Sequence, residues 1–345
     1  LHLCPRDPER PEAWQQDSVA IETYPRPRGI LGRALAVPQL ALRARRSRAD
    51  ALHCNEVDSW VAGLLAKALT LGRQRVVFDV HEHYPSTFAE SRFPPALRPT
   101  VAASLRLLFR ALTPFTDRTV FAKRSVAPDF PGAQGVLVQN FAPRAALKAV
   151  ARPDRAPDAP LSLIHVGLIS KLRGWPQLLD AMARCAVPVR LHVIGTFNDG
   201  TEAEFFATAL RLGLADRVRH DPWMAFADML AACAAADIGL VLFQPGTQNH
   251  VFASPHKLFD YWLAGLPVIA PDFAVEVRDF MAEAQGGLLV DPRDPAAIAG
   301  AIAQLADPGL SARMGDLGRA AVLQKFNWET EAEKLLAMYA VLLPA

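Results

Sequence analysis

In the second half of the chain, short apolar runs alternate with helical stretches, and few folds accept that order. Residues 161–166, 189–194, 238–243, 267–270 and 287–290 read as strands. Helices at about 175–186, 201–212, 225–235, 256–264 and 295–306 fall between or beside them. The first half alternates less cleanly, with strands at 51–54 and 75–80 and a helix over 59–71. Strand–helix alternation in both halves predicts an α/β protein of two doubly wound domains, whose ligands bind at the carboxyl ends of parallel strands. At 345 residues and 51% hydrophobic content, each domain can bury its own core. A stretch rich in proline and charge, residues 151–160, reads as the linker between them. The expected domains are therefore 1–150 and 151–345.

The segment 254–271, SPHKLFDYWLAGLPVIAP, carries the most chemistry. Ser254 and Pro255 predict a helix start, with a capping hydroxyl followed by proline at the first helical position. Lys257, Asp260 and Tyr261 then share one helix face near that N-terminus. Gly265 ends the helix, and a short buried strand follows. A cation and a carboxylate beside free backbone N–H groups can hold a phosphate together with a sugar diol. A nucleotide-sugar site is the expectation.

Charge narrows the partners. Residues 1–150 carry 21 Lys and Arg against 13 Asp and Glu, whereas the remainder carries 16 against 22. The basic half therefore suits an anionic surface or acceptor. Two basic amphipathic stretches, 30–48 and 98–112, could lie on an anionic bilayer or simply pack with a solvated basic face. Nucleic acid is not expected, because the basic residues are not interleaved with stacking aromatics. No run of about 18 apolar residues predicts a membrane span. The four widely spaced cysteines, without a C-x-x-C, read as reduced thiols of a cytoplasmic protein, peripheral at most to the inner face of a membrane. The start, LHLCP, looks like a strand entered part way.

Several stretches together resemble GT-B glycosyltransferases of family GT4. Residues 165–174, HVGLISKLRG, are similar to the first strand and phosphate loop of that family's donor domain. AADIGL at 235–240 resembles its strand entry, and 254–270 resembles a subgroup pattern SPxKLFEYxxxGxPVI. GGLLV at 286–290 followed by Asp294, and Phe326–Trp328 before the last helix, continue the likeness. In the first half, Asp79-Val80-His81-Glu82 resembles the loop with the family's active-site histidine, and Val138-Gln139-Asn140 matches the family's stretch before the interdomain linker. The resemblance implies two Rossmann-like domains facing each other across a cleft, with the last helix, about 328–343, packing back on the first domain. It further implies a retaining transfer of sugar from a UDP- or GDP-sugar to a saccharide or lipid-linked acceptor hydroxyl, in polysaccharide or glycolipid synthesis.

On this reading His81, Arg173 and Lys257 are the catalytic candidates. Gly167, Arg173, Trp223, Ser254, Pro255, His256, Lys257 and Asp260 are the donor-binding candidates. Arg173 would grip the diphosphate bidentately and Lys257 would neutralise its second charge. Asp260 would take the ribose hydroxyls, or else pair with Lys257 at i,i+3. His81 would contact the donor sugar or the acceptor, or be satisfied locally. Trp223 would line the base pocket or sit in a core. No cofactor is expected. His81-Glu82-His83 with Asp79 lacks the spacing of a zinc motif, so no metal is expected either.

Three departures from the family pattern matter. Phe252 stands where the first of two acids is usual, and Asp260 keeps only the second. Leu168 replaces a frequent arginine, and the acceptor domain's first strand and glycine-rich loop are missing. These departures keep two alternatives open: a nucleotide-binding subunit that does not transfer sugar, and a nucleotide-sugar epimerase of the same fold.

Overall fold

The structure, a computed structural model, describes residues 1–6, 11–149 and 159–343. The predicted linker at 151–160 lies outside the described residues but for its last two. The chain forms two compact units, Leu1–Val138 with Lys334–Ala345, and Gln139–Glu333.

The first unit opens with β1 (His2–Pro5), β2 (Ala13–Gln16) and β3 (Val19–Tyr24), which form a three-stranded sheet of order β1-β3-β2. Helix α1 (Gly29–Arg46), β4 (Ala51–Cys54), α2 (Val57–Leu69) and β5 (Arg75–Val80) follow. Next come α3 (Tyr84–Arg92), α4 (Arg98–Leu112), β6 (Arg118–Phe121) and β7 (Gly135–Leu137). Strands β4-β5-β6-β7 make a second sheet, parallel throughout. Period-two alternation along β5 explains its two cores. Val76, Phe78 and Val80 pack on Trp60, Phe109 and Phe130, whereas Val77 on the opposite face meets Val120, Val138, Met338 and Leu342. Trp60 stacks on Phe78 at 4.3 Å between ring centroids. Strands β6 and β7, four and three residues long, are additional to the strands read from the sequence.

The second unit runs β8 (Leu161–Val166), α5 (Trp175–Arg184), β9 (Val189–Ile194), α6 (Glu202–Arg211), β10 (Val218–Asp221) and α7 (Phe226–Ala234). It continues with β11 (Ile238–Leu240), a short α8 (Gln248–Val251), α9 (His256–Leu263), β12 (Val268–Pro271), α10 (Val275–Ala284) and β13 (Gly287–Val290). It closes with α11 (Pro295–Gln304), α12 (Pro308–Gln324) and the start of α13 (Trp328–Leu342), whose later turns belong to the first unit. Six parallel strands lie in the order β10-β9-β8-β11-β12-β13, the doubly wound arrangement in which strand order reverses beside the first strand. Leu163 and Leu191 face one core with α5 and α6, and Ile164 and Val268 face the other with α9 and α10.

The predicted strand at 238–243 is shorter, ending at Leu240. Strand β10 was not read from the sequence: VRHD carries three polar residues, as suits the edge position it occupies. Residues 139–149 belong to the second unit. There Phe141 packs against Phe259, Phe280 and Phe326, and the Gln139 N–H donates to buried Glu331 at 2.9 Å.

Candidate active site

The donor-side candidates converge where β8 and α9 end and begin. Strand β8 leads into Gly167, whose φ of +102° is a conformation L side chains rarely adopt. A Cβ at Gly167 would also lie 3.7 Å from Lys257 Nζ. A 3-10 turn over Lys171–Arg173 follows, and then Gly174 at φ +85° caps α5. A Cβ at Gly174 would fall 2.1 Å from the Leu242 carbonyl oxygen, so only glycine lets this loop close onto the sheet.

Helix α9 starts at His256, within the predicted range, but its cap is not the expected Ser254. Pro255 is the cap, with extended backbone, and His256 is the first helical residue. The Ser254 hydroxyl does not cap; it is buried without a hydrogen-bond partner among the described residues. Nor do Lys257 and Asp260 pair. Asp260 Oδ2 instead accepts from His256 Nδ1 at 2.8 Å, one helical turn back, while its buried Oδ1 has no partner. Desolvation pulls the His256 imidazole down, but the Asp260 hydrogen bond and charge, with a bond to the Phe141 backbone, together hold it above its ordinary pKa. Tyr261 turns inward, donating from its hydroxyl to the Leu240 carbonyl at 3.4 Å and accepting from the Val166 N–H at 2.9 Å.

Lys257 is the unusual group. Its Nζ stands 3.4 Å from His165 Nε2, and among the described residues no carboxylate lies within 4 Å of it. Desolvation, and then the charge of Arg173, bring its pKa down to about 7. Burial also lowers Arg173, and burial with the nearby Lys257 charge keeps His165 neutral. Two cations without counter-ions beside first-turn N–H groups form a place for a dianion.

These residues border one cavity of about 390 Å3. Its lining joins Gly167, Arg173, Pro255, His256, Lys257 and Asp260 with the apolar Ile194, Trp223, Met224, Phe226 and Met229. Trp223 is 67% exposed, so it lines the cavity and does not sit in a core. The structure therefore gathers seven of the eight donor-side candidates, and Ser254 stays outside the lining. His165 joins the site through Lys257, a contact that 92 residues of separation hide from the sequence.

His81 belongs to the first unit, just past β5. Its Nε2 lies 3.2 Å from Asp79 Oδ2, and that bond raises its pKa. The same carboxylate oxygen meets His53 Nε2 at 3.1 Å, and His53 Nδ1 meets the Tyr339 hydroxyl at 2.6 Å. Burial pushes Asp79 up, but the two imidazoles prevail and hold it below its ordinary value. Among the described residues no group of three or more His, Cys, Asp or Glu is placed to hold a metal ion.

A doubly wound sheet with an anion cradle beside its first strand is the setting in which α/β proteins bind nucleotides. The family described as Glycosyl transferases group 1 matches residues 160–307, and Glycosyltransferase Family 4 matches residues 2–136. The two glycosyltransferase families match separate halves and together account for most of the chain. It is 28% identical over 213 residues to the lipopolysaccharide core biosynthesis glycosyltransferase LpsE of Rhizobium meliloti, covering 59% of this chain and 57% of that protein. It is 33% identical over 156 residues to the D-inositol 3-phosphate glycosyltransferase of Acidothermus cellulolyticus, covering 44% and 32%. The matches thus span less than two thirds of these relatives' lengths.

Among solved structures, sucrose-phosphate synthase from Thermosynechococcus elongatus superimposes with a TM-score of 0.71 at 20% identity, covering 98% of this chain and 87% of that one. Anabaena HepE in complex with UDP and glucose gives 0.70 at 19%, covering 93% and 86%. At such identities the likeness establishes the fold.

Proposed function

We propose that this protein transfers a sugar, with retention at the anomeric carbon, from a nucleoside diphosphate sugar to an acceptor hydroxyl. The acceptor belongs to a cell-surface polysaccharide or glycolipid. The observation that carries the reading is Lys257, in the first turn of α9, and Arg173, before α5, lining one cavity with no ion-pair partner among the described residues. As the glycosidic bond to the diphosphate breaks, negative charge grows on the departing phosphate, and these fixed cations offset it. They supply charge that a divalent cation would otherwise bring, so the proposal requires no metal. The apolar residues of the lining accept the base on Trp223, and Asp260 Oδ1 is the acceptor left for a ribose hydroxyl. UDP is the favoured carrier, since the structural relative HepE is described with UDP and glucose.

Incubating the protein with UDP-glucose and saccharide acceptors, and following product by mass spectrometry, tests this. Arg173→Ala and Lys257→Ala should each lower turnover about 100–1,000-fold. Near-wild-type transfer by both would sink the assignment. Phe252 favours a second reading, a subunit that binds nucleotide without transferring sugar. UDP binding by calorimetry with neither transfer nor donor hydrolysis would establish it. Isomerised donor without acceptor would point to an epimerase.

The proposal includes contact with an anionic membrane through α1. Leu31 and Leu35 on this helix are 75% and 66% exposed, and Leu42 continues their stripe. Exposed Arg26, Arg28, Arg45, Arg46 and Arg48 flank it, and residues 23–49 contain no acid. The described residues include no helix long and apolar enough to cross a membrane.

A further inference from the structure

The first unit has its own cavity, of about 510 Å3, beside His81. Its wall mixes charge with rings. Three carboxylates, Glu56, Asp58 and Glu82, line it together with Arg33 and Arg92. Of the two guanidiniums only Arg33 is ion-paired among the described residues, so the three carboxylates outnumber the cations on this wall. Arg33 Nε donates to Asp58 Oδ2 and faces Glu56 at 3.8 Å. Arg92 lies over the Phe88 ring at 4.6 Å and donates to Ser91. His81 is tied to Asp79, a fourth carboxylate just behind the wall. Glu82 has no ion-pair partner among the described residues.

The wall groups register this excess of negative charge. Glu56 is pushed up chiefly by burial; Arg33 and His81 pull it down while Asp58 and Glu82 push it up. Tyr84 is pushed up by burial and then by Glu56, Glu82 and Asp79. The Tyr84 and Phe88 rings offer flat apolar surface between the charges.

We infer that this cavity binds an unphosphorylated saccharide and turns away phosphate monoesters. A carboxylate accepts strong hydrogen bonds from sugar hydroxyls, and Glu56 and Glu82 are placed to do so. The C–H face of a pyranose packs on an aromatic ring such as Tyr84, which also lines the cavity. A phosphate monoester brings close to two negative charges into a wall already rich in carboxylate, where like charges repel. The inference rests on the reading that the first unit takes the acceptor, and it sets this chain apart from a relative whose name specifies a phosphorylated inositol.

The test is a saturation-transfer NMR titration of the full chain, without donor, against methyl α-D-glucopyranoside, glucosamine and glucose 6-phosphate. The first two should bind, and glucose 6-phosphate should bind at least about tenfold more weakly. The double variant Glu56→Gln, Glu82→Gln, with an unchanged thermal transition, should weaken the glycosides and narrow the gap to the phosphate. Glucose 6-phosphate binding as tightly as the glycoside would overturn the inference. So would silence from all three sugars, or glycoside binding unchanged in the double variant. A UDP titration of the same sample keeps the two readings apart, because failure there falls on the donor assignment alone.

Discussion

Lys257 has no counter-ion among the described residues, and its proton is the property most open to measurement. With a pKa of about 7 in the empty site, it is largely neutral at pH 8. A bound diphosphate favours the charged form and raises that pKa, so binding takes up a proton. Affinity for UDP should therefore fall as pH rises above about 7, by up to tenfold per unit, once the terminal phosphate is already ionised. Calorimetry at pH 8 in buffers of different ionisation enthalpy should read an uptake approaching one proton, and Lys257→Met should abolish it. A flat affinity from pH 7 to 9 would contradict the assignment. The residues of this cradle were legible in the sequence because they sit in two short, local patterns. What each touches was not: Asp260 binds His256 and not Lys257, and His165 reaches Lys257 across 92 positions. Side-chain direction, set by packing, decided both.

At the scale of elements, the loop between β8 and α5 is fixed by Gly174. Alanine there would meet the Leu242 carbonyl and adopt a strained left-handed backbone, which costs on the order of 1–3 kcal/mol before any clash. Gly174→Ala should weaken UDP binding by displacing Arg173, and an unchanged Kd would show that the loop tolerates the shift. Helix α1 makes a separate prediction. The protein should co-sediment with vesicles containing anionic lipid at low salt and release as ionic strength shortens the Debye length below ~10 Å. Leu31→Glu with Leu35→Glu should remove that binding, and equal sedimentation with neutral vesicles would rule out the basic stripe. Both helices proposed for membrane contact were predicted, but only the structure separates them. Arg106 on α4 is committed to Asp129 and Ser86, whereas five arginines in and around α1 remain unpaired among the described residues.

At the scale of the molecule, the chain leaves its first unit at Val138 and returns to it at Lys334. Met338 and Leu342 then cover the face of β5 and β6 opposite the Trp60 core. Met338→Ala should cost about 2–5 kcal/mol, read as a shift in the denaturation midpoint, with UDP affinity preserved because the donor cavity is lined by the second unit alone. A parallel loss of UDP affinity would mean the two units are not separable in this respect. Two doubly wound domains were legible from alternation, which depends only on local pattern. The point of division was not, because Phe141 and Glu331 join the second unit through contacts distant in sequence.

That return path also sets a schedule for synthesis. The first unit starts to emerge from the ribosome before the second but lacks its closing helix until the roughly 195 residues of Gln139–Glu333 have followed. At about 5–20 residues per second this is a wait of about 10–40 s. Val77 and Val120 remain uncovered throughout it, so the domain that begins first is the one that finishes last.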